Sequence, residues 1–105
     1  MLKKDLKVAN LFKKRIAVLP VYRRMIVFGS RARGRASSES DLDIFVEVSE
    51  INSEIRRQIQ TEAWEVSLEN GLVISTFIAS TDALQSSMLS ANPILKAIEL
   101  EGIVV

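Results

Sequence analysis

From Asp41 to Val48 the chain alternates without interruption. Leu42, Ile44, Val46 and Val48 fall on one side, and Asp41, Asp43, Phe45 and Glu47 on the other. A period of two is that of a β-strand with one face on a core. Upstream, Met25 to Phe28 is wholly apolar and runs directly into Gly29, the pattern of a short buried strand ending where the backbone can approach another group closely. The remaining residues read as packing for these two strands.

Both strand ends carry chemistry. After a strand, Gly29 and Ser30 open a turn into a short helix, so the next backbone amides can point at an anion and the Ser30 hydroxyl adds a further donor. Arg31, Arg33 and Arg35 add positive charge, and Arg33 or a neighbour can clamp phosphate through two parallel hydrogen bonds. Asp41 and Asp43, two apart on a strand, share a face with α-carbons roughly 6 to 7 Å apart. Such carboxylates can converge on one or two divalent ions that bridge the phosphates of a nucleotide. An isolated Asp-x-Asp more often marks a solvated strand entrance, and an isolated Gly-Ser carries little information. Glu47 shares the aspartates' face but lies about 13 Å beyond Asp43, so it reads as a surface acid.

Composition narrows the chemistry. The chain has no cysteine and no histidine, so disulfides, thiolate sites and imidazole bases are excluded, and a metal is held by oxygen, as magnesium is. Its 105 residues, 48% hydrophobic, suit a single domain spanning residues 1–105 with a modest core. The net charge of +1 conceals a division. Residues 1–36 hold eleven Lys or Arg against one acid, Asp5, while residues 37–105 hold three against twelve. That asymmetry implies an anion-facing side and a separate acidic surface. No signal peptide and no apolar run approaching the roughly 18 to 20 residues of a membrane span is found, so a cytoplasmic protein without a membrane partner is expected.

The flanking segments supply helices and a third strand. Leu2, Leu6, Ala9, Phe12, Ile16 and Leu19 form the apolar stripe of a helix ended by Pro20, with lysines largely off it. Those lysines suit a solvated face better than a nucleic-acid surface, because no aromatic is interleaved for base stacking. Residues 34–40 are small and polar, as in a surface loop. A helix is predicted over Asn52–Glu69, closed by Asn70-Gly71, with Trp64 as a core anchor. Leu72–Ile78 reads as a strand, a short helix follows from Ser80 or Thr81 to about Ser90, and Asn92-Pro93 opens a last helix ending before Gly102. The tail Ile103–Val105 is apolar enough for core or interface, which leaves a homo-oligomer open.

Gly29-Ser30, ten residues, then Asp41-Leu42-Asp43 resembles the GS-x10-D-x-D signature of the minimal nucleotidyltransferases of the DNA polymerase beta superfamily. Arg31-Ala32-Arg33-Gly34 and Ser40-Asp41-Leu42-Asp43 are similar to the wording that family uses. The resemblance implies an α/β fold, a short mixed sheet flanked by helices. It also implies transfer of a nucleoside monophosphate, AMP from ATP, to a hydroxyl. Mg2+ would be held by Asp41 and Asp43 as catalytic carboxylates, and the triphosphate would rest on Gly29, Ser30, Arg33 and Ser40. Family members of this size resemble antitoxins paired with a helical HEPN toxin, so the implied partner is a HEPN-type protein and not nucleic acid.

One departure is visible. Fuller relatives resemble one another in placing a third carboxylate on the strand corresponding to Leu72–Ile78, and no Asp or Glu occurs between Asn70 and Thr81. Val73 or Ser75 is where it would be expected. Its absence keeps a second reading open, a weak or inactive domain that regulates its partner by binding alone. A third is a nucleic-acid-binding module using the basic first helix, which would show steeply salt-dependent binding.

Overall fold

The computed structural model describes residues 1–35, 37, 39–86 and 91–105. Helix α1, Lys3–Ile16, leads into strand β1, Tyr22–Phe28, and a single helical turn, α2, Gly29–Ala32. Strand β2, Leu42–Val48, is followed by α3, Ser53–Asn70, strand β3, Ile74–Ser80, and the short α4, Thr81–Leu84. Helix α5, Pro93–Glu101, and strand β4, Ile103–Val104, complete the chain. The helix expected from Ser80 or Thr81 to about Ser90 is a single turn that ends at Leu84, with Gln85 as its C-cap, and residues 87–90 lie outside the described residues. Among the described residues no helix is long and apolar enough to cross a membrane.

The strands form one mixed sheet in the order β3-β2-β1-β4. β1 pairs antiparallel with β2 and β4, while β2 and β3 run parallel with α3 as their crossover. The alternation read in the sequence holds. Leu42, Ile44, Val46 and Val48 join Met25, Val27, Ile74 and Ile78 beneath α1 and α3. Phe45 lies on the opposite face, yet it is not left to solvent. α5 covers that face, so Phe45, Ile26, Ala79, Leu95 and Ile98 make a second, smaller core. The apolar tail is sheet edge: Ile103 and Val104 pair with Val27 and Ile26, and the Val105 amide donates to the Met25 carbonyl.

Local chemistry sets the element ends. The Asn52 side chain accepts from the Ile55 amide to cap α3, and Gly71 ends that helix in the left-handed region. Asn92 caps α5 just ahead of Pro93. Three expectations are corrected. The buried stripe of α1 is Asp5, Val8, Ala9, Phe12 and Ile16, leaving Leu2 and Leu6 exposed. An acid occupies the stripe where apolar spacing alone would choose a leucine. Trp64 is 64% exposed, because α3 faces the core through Ile59, Ala63 and Val66 and Trp64 lies one position round from that line. β3 starts at Ile74 rather than Leu72, since Leu72 first drops into the core as the chain leaves Gly71.

Candidate active site

The antiparallel pairing of β1 and β2 brings the end of one strand beside the start of the other. Phe28 stands opposite Asp43, so the Gly29-Ser30 turn and the two aspartates meet at one end of the sheet. Gly29 has φ of 77°, and a Cβ built on it would overlap Asp43 Oδ2. Glycine is therefore required twice over, for the left-handed backbone and for the approach of the carboxylate. Gly29→Ala is expected to cost about 1–3 kcal/mol in thermal unfolding and to push Asp43 off its position. Stability equal to the parent's would show that the turn relaxes freely.

Asp43 is half-buried and Asp41, just before β2, is exposed. Burial pushes the Asp43 carboxyl above its ordinary value, the neighbouring Asp41 charge pushes it further, and Arg33 opposes both. Two neighbouring carboxylates of like charge could hold a positive ion between them. Hard oxygen donors with no imidazole or thiolate in the chain fit Mg2+. Among the described residues no third Asp or Glu joins them to make a larger metal-ligating cluster. In the parallel pairing of β2 with β3, the residue in register with Asp43 is Ser75, so a hydroxyl stands where a third carboxylate was expected.

The other predicted residues lie on α2 and on the loop that precedes β2. Ser30 is the second residue of α2 and half-buried. Arg33 caps α2, is exposed, and donates from Nη1 to Glu101 Oε2 of α5 at 2.9 Å. The Ser40 hydroxyl accepts from the Ser37 amide at 3.1 Å, which folds the loop that delivers Asp41. Glu47, read as a surface acid, is instead tucked under Arg24 and Thr81, which donate to its two oxygens at 2.7 and 2.8 Å. Burial raises its pKa, but these two hydrogen bonds and the Arg24 and Arg23 charges together outweigh that and hold it below the ordinary glutamate value. Its contribution to stability is thus present above the ordinary glutamate range and is lost as pH falls through the lowered value.

Arg31 is the residue whose role the sequence misplaced. It does not face outward as a phosphate clamp but is buried, with Nη1 donating to Asp5 Oδ1 at 2.8 Å. Its Nε donates to the Ser40 carbonyl at 2.8 Å and Nη2 to the Ser37 carbonyl at 3.3 Å. One sequence signal pointed this way: Asp5 is the sole acid among the first 36 residues.

The fold is similar to a chain of a toxin-antitoxin complex determined with AMP-PNP, with TM-score 0.64 and 16% identity over 98% of this chain and 72% of that one. It is also similar to a protein assigned as a minimal nucleotidyltransferase, with TM-score 0.58 and 23% identity over 97% and 89% of the two chains. A third likeness is to a chain of the tri-AMPylated Shewanella oneidensis HEPN toxin in complex with MNT antitoxin, with TM-score 0.53 and 14% identity over 96% and 67%. At such identities these likenesses establish the fold. No curated protein sequence matches the chain significantly. The family model described as polymerase beta, nucleotidyltransferase matches residues 7–99, which spans both strands, the Gly-Ser turn and both aspartates. The chain belongs to the polymerase beta nucleotidyltransferase family.

Proposed function

We propose that this protein transfers AMP from ATP to a hydroxyl on a HEPN-type partner and so acts in the cytoplasm as the antitoxin of a pair. The observation that carries the reading is that the Asp43 carboxylate approaches Gly29 so closely that no Cβ fits between them, which sets the Gly-Ser turn beside the aspartates proposed to hold the metal. A solved neighbour with AMP-PNP and another containing an AMPylated HEPN toxin support the choice of nucleotide and partner.

Asp41 and Asp43 would hold Mg2+, which when bound supplies neutralising charge to the triphosphate. The amides opening α2, together with Ser30 and Ser40, orient phosphate oxygens, and Arg33 turns from Glu101 toward them. The acceptor hydroxyl forms a bond to the α-phosphorus while the α–β phosphoanhydride bond breaks and pyrophosphate leaves. The hydroxyl proton passes to a base that β3 does not provide, because Ser75 occupies the position in register with Asp43. The acceptor or the partner then supplies it. Because Asp43 takes up a proton above the ordinary aspartate range, metal binding should weaken on acidification earlier than at an unperturbed aspartate pair.

The test is label transfer to the partner. Label in the α-phosphate of ATP is expected on the partner and label in the γ-phosphate is not; label from neither position removes the reading. Restoring the acid gives a second check. Ser75→Asp is expected to raise the transfer rate toward the roughly 10²-fold that a positioned base contributes. An unchanged rate would place proton transfer outside β3. The same serine also favours the alternative, regulation of a partner by binding alone, which predicts a stable complex and no label in either arm.

A further inference from the structure

Arg31 spans three segments that the site depends on. Its guanidinium is anchored to α1 through Asp5 and grips the carbonyls of Ser37 and Ser40 in the loop that leads into Asp41. Both partners of the ion pair are buried, Asp5 at 1% and Arg31 at 6% exposure, so neither charge is available to a ligand in solvent. A buried pair of this kind is weak evidence for stability, since apolar residues of similar volume often serve as well. What apolar residues cannot do is donate to two carbonyls, one of which belongs to the residue immediately before Asp41. The planar fork of arginine suits that task, with donors in fixed directions that a lysine ammonium does not reproduce.

We propose that Arg31, held in place by Asp5, is a positioning residue that fixes the Ser40–Asp41 segment so that the Asp41 carboxylate meets Asp43 in metal-binding geometry. The role rests on the reading of Asp41 and Asp43 as metal ligands. It makes the N-terminal helix part of the site although α1 supplies no ligand. Outer groups that orient metal ligands typically govern metal affinity by about 10- to 100-fold.

Separating position from stability requires removal of both charges together. In Asp5→Leu/Arg31→Met the buried pair is replaced by apolar side chains, so thermal unfolding is expected near the parent's, while affinity for Mn2+, measured calorimetrically without nucleotide, falls roughly 10- to 100-fold. Arg31→Lys is measured beside it, because it retains a cation next to Asp5 but loses the fork. It is expected to bind Mn2+ more weakly than the parent, and it keeps the test open if the double variant fails to fold. A parent that binds Mn2+ and variants that bind it equally well would overturn the role of Arg31 alone. A parent that binds no Mn2+ would remove the reading of the carboxylate site and this role with it.

Discussion

Replacing Asp41 and Asp43 together by asparagine is expected to abolish transfer while leaving the fold intact or slightly firmer. Divalent cations bound by oxygen need anionic ligands, and an asparagine carbonyl supplies a donor without the charge. If the metal contributes several kcal/mol of transition-state stabilisation, its loss lowers the rate by at least roughly 10³-fold. The stability expectation has the opposite sign. Burial and the Asp41 charge hold the Asp43 carboxyl above its ordinary value, so the ionised pair is disfavoured in the folded chain at neutral pH. Neutral amides remove that repulsion, and thermal unfolding without metal should move upward, the trade expected where a site is organised for function over stability. Turnover by the label-transfer assay and unfolding by calorimetry measure the two halves. Undiminished protection of cells from the partner toxin by this variant would establish regulation by binding alone.

The second large effect concerns Asp5. Asp5→Ala leaves the Arg31 guanidinium buried without its carboxylate, and breaking such a pair costs about 3–5 kcal/mol. For a domain of this size each kcal/mol lowers the midpoint by roughly 4–8 °C, so the melting temperature should fall by about 12–40 °C. The exposed bridges offer a contrast. Arg15 reaches Glu62, Glu65 and Glu69 across α1 and α3, but these groups are solvated and worth little each. Arg15→Ala is therefore a control expected to change stability far less than Asp5→Ala, although Arg15 makes more contacts with acids.

The strands around the site were legible because short-range chemistry specifies them. Alternation at Asp41–Val48, the apolar run into Gly29 and the caps at Asn52 and Asn92 each depend on residues a few positions apart. What was illegible depends on contacts far apart in the chain. Phe45 looked solvent-facing until α5, some fifty residues later, was laid over it. The tail became β4 by pairing with β1, and Glu47 left the surface because Arg24 and Thr81 reach it from β1 and α4. Arg31 was the hardest to place. Its neighbours Arg33 and Arg35 are exposed, and nothing local distinguishes a buried arginine from them until its partner twenty-six residues upstream is known. The site is similarly divided. Gly29, Ser30, Asp41 and Asp43 could be read as a unit, and the structure brings them to one end of the sheet. The arginine strut and the Glu101 contact that occupies Arg33 could not.

Intact-mass measurement decides whether a nucleotidyl group reaches a protein partner. The chain is incubated with the proposed HEPN-type partner, Mg2+ and each of the four nucleoside triphosphates in turn. The partner is expected to gain whole units of AMP with ATP, and the gain is expected to disappear in Asp41→Asn/Asp43→Asn. A stable complex whose partner mass is unchanged with all four triphosphates would rule out nucleotidyl transfer to that partner.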